Sequence, residues 1–388
     1  MPHNRERHIL SLIIKRIKSS PVTTIHGARQ TGKSFLVREL LKKNFPLLNY
    51  KTFDSTSEQR FARSNPETYL RTLQEARPLA IDEAQKVPEI FDAVKLLVDE
   101  SRESSQFILT GSTEFSHRTR IRESLTGRMT SVRIFPFSLS ESMQIKHEPK
   151  RWEFGAKLMP RITRKDLLRY LARGGMPGIF SVRDEETREQ YIDDWLELTW
   201  GRDIHQTSRN GGDSSLCRDI LFSLASVDVP DAGIIAKLLK FSTRAVQKQI
   251  DILETLFVIN RIRPHKLGAG KDRYFICDVG FAKKLGASFE RQLQTWLYQE
   301  ALVSLNLSPK LSNTISYYVT SRGSVIDLVI KHVDKEFAIK LLSSEAIDKR
   351  ELLVLSAFNN KSKIKPIALG ATRGKVNGVE IFPWEIIA

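Results

Sequence analysis

An eight-residue run rich in glycine, Gly27–Ser34, constrains the fold of this chain more than any other feature. It follows an apolar run, Val22–His26, and it leads into Ser34–Leu41, where apolar residues recur at helical spacing. The run fits the pattern G-x-x-x-x-G-K-[ST], in which a strand ends, the chain turns and a helix begins. The sequence therefore predicts a strand–loop–helix unit near the amino-terminal end.

The residue types in this run indicate a phosphate ligand. Backbone amides between Gly27 and Lys33 would point inward as a nest for phosphate oxygens, because glycine allows an approach that a side chain would block. Lys33 supplies a positive charge, and the hydroxyl of Ser34 suits Mg²⁺. The predicted nucleotide-binding residues of the loop are Gly27, Ala28, Arg29, Gln30, Thr31, Gly32, Lys33 and Ser34. The alternative is a glycine turn without a ligand, which the flanking strand and helix patterns disfavour.

A second apolar run, Leu79–Ile81, ends in two acids. We predict that Asp82 binds Mg²⁺ together with Ser34, and that Glu83 is the catalytic base that deprotonates water. Two acids after a strand are a weak signal alone, but they become a strong one beside the glycine-rich loop. We therefore expect both acids to lie near the bound phosphates.

A third apolar run, Phe107–Leu109, ends in hydroxyl side chains. Ser112 or Thr110 would sense the terminal phosphate there, unless the segment is only a polar exit from a strand. The three runs alternate with helical patterns, which is typical of a parallel α/β sheet.

Length, charge and cysteine content narrow the class of protein. A chain of 388 residues exceeds the roughly 250 to 300 residues of one compact core, so two or three domains are expected. No apolar run approaches the roughly 18 residues that span a bilayer, and two cysteines are too few for a disulfide framework. We expect a cytoplasmic protein without a membrane partner. The formal net charge of +16 favours a polyanion such as nucleic acid, with a merely basic surface as the alternative.

The middle of the chain has the order of elements found in a winged helix-turn-helix. Helical patterns at Ala232–Leu239 and Thr243–Leu256 precede a basic hairpin, Val258–Ile276, that contains Gly268 and Gly270. Basic side chains on such a helix and hairpin suit phosphate contact, although the same fold also docks proteins. The candidate nucleic-acid contacts are Arg244, Lys248, Arg261, Arg263, Lys266, Lys271 and Arg273.

Several runs resemble those of bacterial and archaeal AAA+-type P-loop ATPases of the archaeal-ATPase and STAND side of the class. These runs are Gly27-Ala-Arg-Gln-Thr-Gly-Lys-Ser34, Ile81-Asp-Glu-Ala-Gln85, Leu109-Thr-Gly-Ser112, Ser124-Leu-Thr-Gly-Arg128 and Phe135-Pro-Phe-Ser-Leu-Ser-Glu141. Further matching runs are Gly174-Gly-Met-Pro177, Trp200-Gly-Arg-Asp-Ile204 and Tyr274-Phe-Ile-Cys-Asp-Val-Gly280. The resemblance therefore covers nearly the whole chain, and the first two runs are highly specific for nucleotide binding.

The resemblance implies ATP and Mg²⁺ as ligands and ATP hydrolysis as the activity. It implies that Ser112 is the sensor residue and that Arg128 reaches the terminal phosphate, in its own or a neighbouring subunit. The alternative for Arg128 is an ordinary surface or salt-bridge residue. The predicted catalytic residues are thus Lys33, Glu83, Ser112 and Arg128.

Members of this family often end in a PD-(D/E)xK endonuclease-like domain, in which acids on two strands hold Mg²⁺. Here Ser324–Ile330 retains Asp327, and Glu300 is the candidate acid of the preceding helix. The next strand has Lys340 where an acid is expected and Leu342 where a lysine is expected. A lysine would repel a metal ion, so we expect a nuclease-shaped domain with a degenerate metal site.

These features predict an α/β protein of three parts. The parts are a P-loop ATPase domain with a parallel sheet (1–148), a helical and winged-helix region (161–285) and an endonuclease-like α/β domain (286–388), with a linker near residues 145–160. ATP binding and hydrolysis would change the placement of the basic carboxy-terminal half relative to the ATPase domain. This half would act on DNA. The alternatives are a nucleotide-dependent switch or scaffold that binds protein partners or copies of itself, and an active ATP-driven nuclease.

Overall fold

The computed structural model describes residues 5–113, 127–146, 152, 154–155, 159–207, 212–228, 230–332, 335–344 and 348–387. These residues form two compact units. The amino-terminal unit contains residues 6–135 and 255–257, and the carboxy-terminal unit contains Arg5 and residues 136–254 and 258–387. Much of the predicted linker, residues 147–151, lies outside the described residues.

The amino-terminal unit contains a five-stranded parallel sheet, which confirms the predicted α/β class. Its strands are β1 (Val22–His26), β2 (Asn49–Thr52), β3 (Leu79–Asp82), β4 (Phe107–Gly111) and β5 (Met129–Arg133). Their order across the sheet is β2-β3-β4-β1-β5. The strand β4 therefore lies between β1, which leads into the glycine-rich loop, and β3, which ends in the acids.

Helices cover this sheet and bury their apolar faces against it. They are α1 (Leu10–Ser19), α2 (Lys33–Phe35), α3 (Thr56–Ser64), α4 (Pro66–Leu73) and α5 (Ile90–Glu100). After α2 the helix continues as a π-helical turn, Leu36–Leu40, and a 3₁₀ turn, Leu41–Lys43. Val94 and Leu97 of α5 join Leu79 and Ile81 of β3 in one buried cluster, so the central strands are apolar on the helix-covered face.

The carboxy-terminal unit begins with a largely helical part. Its helices are α6 (Leu139–Ser142), α7 (Arg164–Arg173), α8 (Pro177–Phe180), α9 (Glu185–Leu198), α10 (Ile204–Thr207), α11 (Ser214–Ser226), α12 (Ala232–Leu239), α13 (Thr243–Thr255) and α14 (Val279–Lys284). Between α13 and α14 lies an antiparallel hairpin of β6 (Ile259–Ile262) and β7 (Arg273–Ile276). The order of two helices and a hairpin agrees with the pattern in the sequence.

Two of the runs that carry the family resemblance meet in this part. The buried carboxylate of Asp278 accepts hydrogen bonds from the backbone amides of Gly175 at 2.7 Å and Gly280 at 2.8 Å. A Cβ atom on Gly174 would lie 1.9 Å from Asp278 Oδ1, so the chain can pass here only with glycine. The two runs therefore pack against each other, and this packing accounts for Gly174 and Asp278 without a ligand.

The rest of the unit is built on a six-stranded mixed sheet with the order β12-β13-β11-β10-β9-β8. The strands are β8 (Thr314–Val319), β9 (Val325–His332), β10 (Lys335–Leu341), β11 (Lys365–Gly370), β12 (Gly374–Val376) and β13 (Val379–Pro383), and the helices are α15 (Phe289–Leu307) and α16 (Leu353–Ser362). Trp296 and Leu297 of α15 pack with Leu328 and Ile330 of β9 in a shared core. The helix α15 thus packs against one face of the six-stranded sheet.

The loop of the β6–β7 hairpin lies along β8, the edge strand of this sheet. The amide of His265 donates to Tyr317 O at 2.7 Å, and the amide of Ala269 donates to Val319 O at 3.0 Å. A Cβ atom on Gly270 would lie 2.1 Å from the hydroxyl oxygen of Tyr317. The glycine is therefore needed for packing of the loop on β8, whereas the sequence pattern suggested that it serves contact with phosphate.

Candidate nucleotide-binding site

The glycine-rich loop begins directly after β1 and has the backbone geometry that its glycines permit. Gly27 has φ 155°, and a Cβ atom there would lie 2.2 Å from Ile134 O, so only glycine fits. Gly32 has φ 88°, in the left-handed region that glycine adopts most readily. The guanidinium of Arg7, which the sequence did not single out, donates to Thr31 O at 2.8 Å and braces the loop.

Lys33 lies inside this loop. Its side chain is buried, and Nζ donates to Gly27 O and Ala28 O at 2.9 Å each. Burial lowers the pKa of Lys33, while the nearby charges of Glu83 and Asp82 oppose that shift. The structure thus holds this cation against the loop backbone, on the same side as the two acids.

Asp82, at the end of β3, is held by three hydrogen bonds. The hydroxyl of Tyr50 donates to Asp82 Oδ2 at 2.7 Å, the hydroxyl of Thr110 donates to Oδ1, and the amide of Glu83 lies 3.1 Å from Oδ1. Burial and Asp82 raise the pKa of Tyr50, and the nearby hydroxyl of Ser34 opposes that shift. Tyr50 therefore contacts the carboxylate that was predicted to bind Mg²⁺ and lies near the predicted hydroxyl ligand.

Sequence reasoning missed this role of Tyr50. Tyr50 lies on β2, which pairs with β3 so that Tyr50 is opposite Ala80 and Thr52 is opposite Asp82. Only this pairing brings the phenol to the acid, and no motif in the sequence marks it. Thr110, which the sequence suggested as a sensor, donates a hydrogen bond to Asp82 Oδ1.

Glu83 contacts the end of β4. Its Oε2 atom accepts hydrogen bonds from Gln85 Nε2 and from the hydroxyl of Ser112, the latter at 3.3 Å, and Gln85 Nε2 also lies 3.2 Å from Ser112 Oγ. Glu83 has φ 55°, an uncommon backbone conformation for a residue with a side chain. The predicted base and the predicted sensor thus lie in one polar cluster.

The residues present fit a magnesium nucleotide. The loop offers backbone amides and the cation of Lys33 for phosphate oxygens, and Ser34 is exposed beside it. Asp82 provides a carboxylate, which is a hard oxygen ligand of the kind that Mg²⁺ prefers. In the part of the chain that the structure describes, no group of three or more His, Cys, Asp or Glu residues could hold a metal by itself.

Arg128 lies far from this cluster in its own chain. It precedes β5, whose pairing with β1 aligns Val22 with Met129 and His26 with Arg133, whereas the loop follows His26. Arg128 therefore lies at the amino-terminal end of the strands, and the loop lies at their carboxyl end. A five-residue strand separates these two ends by roughly 16 Å. Its guanidinium forms two hydrogen bonds with Asp99, at 2.6 and 2.9 Å. In this structure Arg128 is therefore engaged with Asp99 and does not lie beside the glycine-rich loop of its own chain.

Two of the predicted nucleic-acid contacts are engaged within the carboxy-terminal unit. Arg273 is buried, with its guanidinium carbon 3.9 Å from the centre of the Tyr317 ring. Arg261 forms ion pairs with Glu254 and with Asp272, the latter at 3.3 Å. Neither presents an accessible cation to phosphate, because Arg273 is buried and Arg261 is paired with carboxylates. The exposed candidates are Arg244, Lys248, Arg263, Lys266 and Lys271.

Asp327 has the cationic neighbour that the sequence predicted. Lys340 Nζ lies 3.2 Å from Asp327 Oδ2, and both side chains are largely buried. Burial lowers the pKa of Lys340, but Asp327 and Glu351 raise it, and the net shift is upward. Glu300, the candidate helix acid, is fully buried and accepts a hydrogen bond at 2.6 Å from the amide of Leu139 instead.

Parts of the chain are similar to known protein families. Residues 19–143 match the family model of an AAA domain, and residues 164–292 match a domain of unknown function, DUF8612. An uncharacterized protein of Mycobacterium tuberculosis is 22% identical over 349 residues, which are 86% of this chain and 74% of that protein. An uncharacterized protein of Methanocaldococcus jannaschii is 23% identical over 356 residues, covering 86% and 76% respectively.

Solved structures show weaker similarity. The RuvB Holliday junction branch migration motor of Thermotoga maritima has 14% sequence identity and a TM-score of 0.30, covering 69% of this chain and 89% of that one. A katanin structure has 12% identity and a TM-score of 0.30, covering 53% and 72%. No described helix is long and apolar enough to cross a membrane. The AAA-domain match spans the loop, the acids and β4, and together with the five-stranded parallel sheet it supports an AAA-type P-loop ATPase domain in the amino-terminal unit.

Proposed function

We propose that the amino-terminal unit binds ATP with Mg²⁺ and hydrolyses ATP to ADP and phosphate. The observation that carries this proposal is that four residues lie at the carboxyl edge of one sheet, at or after the ends of β1, β3 and β4: Lys33, Asp82, Glu83 and Ser112. Parallel strands bring their carboxyl ends to the same edge, where α/β proteins bind ligands. One phosphate chain can therefore contact the loop and the acids together.

Binding would depend on the loop. Its amides would donate hydrogen bonds to phosphate oxygens, and Lys33 would exchange its contacts with Gly27 O and Ala28 O for phosphate oxygens. Ser34 and Asp82 would hold Mg²⁺, which when bound neutralises phosphate charge. Tyr50 would keep Asp82 in position, because its hydroxyl donates to Asp82 Oδ2.

Hydrolysis would depend on Glu83. Gln85 and Ser112 both donate to Oε2, and among the described residues no hydrogen bond to Oε1 is found. The Oε1 atom is thus available to accept a proton from a water molecule, while Oε2 holds the orientation of the carboxylate. Ser112 and Gln85 act as positioning residues for the base in this scheme.

The test is ATP turnover and ATP binding by the full chain and by Lys33→Ala. We expect Lys33→Ala to lose tight ATP binding, because it removes the cation that the loop encloses. The control is Lys42→Ala, since Lys42 is exposed in the helical segment after the loop. Equal ATP affinity of Lys33→Ala and wild type by calorimetry would exclude this loop as the nucleotide site.

A second candidate function is nucleotide-dependent DNA binding by the carboxy-terminal unit. It is supported by the exposed cations on α13 and on the hairpin loop, which are Arg244, Lys248, Arg263, Lys266 and Lys271. The rival is a nucleotide-dependent switch or scaffold that binds protein partners or a second copy. ATP turnover with and without DNA separates them, because only the first predicts a response to DNA. If two copies of the chain associate, Arg128 of one copy would contact the nucleotide that is bound to the other copy.

The subdivision of the carboxy-terminal unit is also a proposal. Residues 161–285 would include a winged helix, which the order of α12, α13, β6 and β7 supports. Residues 286–388 would be an endonuclease-like domain without a working metal site. The contact of Lys340 with Asp327 supports that absence of activity, because an ammonium group lies where a cation would bind the carboxylate.

A further inference from the structure

A cavity of about 410 Å³ in the carboxy-terminal unit is lined by four arginines. Arg169 and Arg173 are four positions apart on α7, Arg183 follows α8, and Arg5 donates to the carbonyl oxygen of Ser142. The other lining residues are uncharged, and they include Phe180. The lining thus has four positive charges and no carboxylate among the described residues.

Two of these guanidinium groups form no close ion pair with a described carboxylate. Within the described ranges, the side chains of Arg173 and Arg183 have neither a hydrogen bond nor an ion pair. Arg169 lies 3.8 Å from Asp166, but Asp166 also accepts hydrogen bonds from the amide and hydroxyl of Thr163 at the start of α7. The positive charge of the cavity is therefore poorly neutralised by the protein itself.

The surroundings make that charge costly. Burial lowers the pKa of Arg173, and the guanidinium groups of Arg188 and Arg169 lower it further, with Glu185 in opposition. Burial also lowers the pKa of Arg5. Like charges that are partly desolvated repel each other, and an anion placed among them removes both costs. The arrangement is thus complementary to a compact anion.

We propose that this cavity binds the phosphate group of a phosphomonoester. All four cations are arginine, whose planar fork matches phosphate oxygens with paired hydrogen bonds. The cavity volume lies within the range of roughly 300 to 1,000 Å³ that is usual for small-ligand pockets. Phe180, whose ring centre is 5.0 Å from the guanidinium carbon of Arg5, provides an apolar wall. The phosphate is that of a free small molecule or of the 5′ end of a nucleic-acid strand.

The probe for this site is inorganic phosphate, titrated calorimetrically into the full chain carrying Lys33→Ala, so that the loop contributes little. We expect Arg173→Gln with Arg183→Gln to weaken phosphate binding at least about tenfold, or roughly 1.4 kcal/mol. The matched control is Arg218→Gln with Arg322→Gln, which removes two exposed arginines outside the cavity. An unchanged melting temperature would show that the cavity variant is folded, as expected for side chains without partners.

The proposal is overturned if the cavity variant binds phosphate as well as its parent does, if the control pair loses as much, or if the parent binds no phosphate above a chloride control. A second titration compares 5′-phosphorylated and 5′-hydroxyl oligonucleotides of one sequence. A preference for the phosphorylated strand that disappears in the cavity variant identifies the strand end as the ligand. Equal binding of both strands, with phosphate binding retained by the parent, identifies a free phosphorylated molecule.

Discussion

Lys340 and Asp327, on neighbouring antiparallel strands, form a largely buried ion pair with Nζ 3.2 Å from Oδ2. The same Oδ2 atom accepts a hydrogen bond from the amide of Leu341 at 2.8 Å, and Oδ1 accepts one from Gln294 at 3.1 Å. Both carboxylate oxygens are thus occupied by protein donors. A metal ion would have to displace a lysine from them, which a buried pair resists.

We predict that the wild-type chain has no Mg²⁺- or Mn²⁺-dependent cleavage of plasmid above background, and that Asp327→Ala leaves this result unchanged. Lys340→Met should instead lower the free energy of unfolding by about 3 kcal/mol, because it leaves a buried carboxylate without its cation. Denaturant unfolding measures this, with Lys331→Met as the control, since Lys331 pairs with Glu336 on the same two strands but is far more exposed. Metal-dependent nicking that disappears in Asp327→Ala would contradict this interpretation.

Tyr50→Phe should weaken the response to Mg²⁺. The substitution removes the hydroxyl that donates to Asp82, and loss of such an orienting partner commonly costs about 10- to 100-fold in metal affinity. The Mg²⁺ concentration for half-maximal ATP hydrolysis should rise about tenfold. Tyr69→Phe is the control, since Tyr69 donates to Glu58 rather than to Asp82. Equal behaviour of the two variants would mean that Tyr50 only supports the fold.

Glu83→Gln should retain ATP binding and lose turnover by about 100-fold or more, because an amide keeps the shape of the side chain but cannot accept the proton of water. Ser112→Ala should reduce turnover less, by about tenfold, since Gln85 still donates to the carboxylate. Phosphate release and ATP binding are measured together, with Glu89→Gln as the exposed control. Wild-type turnover in Glu83→Gln would show that another group is the base.

The hairpin loop should affect DNA affinity more than DNA sequence choice. Changing Arg263, Lys266 and Lys271 together to Gln should weaken binding similarly on unrelated sequences and lower the salt slope by up to about three units. ATP binding should not change. Wild-type DNA affinity of this variant at two salt concentrations would favour protein docking instead.

Arg273→Gln provides the contrasting case in the same hairpin. Arg273 is buried against Tyr317, so its loss should reduce stability by about 1 to 2 kcal/mol and leave the salt slope unaltered. Thermal unfolding and the same DNA titration check both parts. A lowered salt slope with unchanged stability would mean that Arg273 reaches phosphate after all.

The sequence predicted the central strands of the sheet but not its edges, for a physical reason. β1, β3 and β4 are buried along nearly their whole length, and each begins at the first residue of its predicted run. β2 and β5, at the two edges, are only partly buried and have the mixed sequences Asn49–Thr52 and Met129–Arg133. Edge strands face solvent on one side, so no continuous apolar run marks them.

In the nucleotide-binding site too, the sequence marks local features and does not mark tertiary contacts. Lys33 and Asp82 could be identified because their chemistry requires a fixed local spacing within a motif. Tyr50 could not, since its contact with Asp82 depends on which strand pairs with β3. The sequence also shows that Arg261 is charged but not that Glu254 neutralises it, because ion pairs form through tertiary contacts.

The position of the hairpin loop along β8 has a consequence for how the carboxy-terminal unit avoids aggregation. An uncovered edge strand has unpaired amide and carbonyl groups that can pair with another molecule. Here Tyr317 exchanges hydrogen bonds with Arg263 and His265, so part of that edge is already paired within the chain. A fragment that starts after the hairpin would expose β8 and become prone to intermolecular strand pairing, even though its six-stranded sheet is intact.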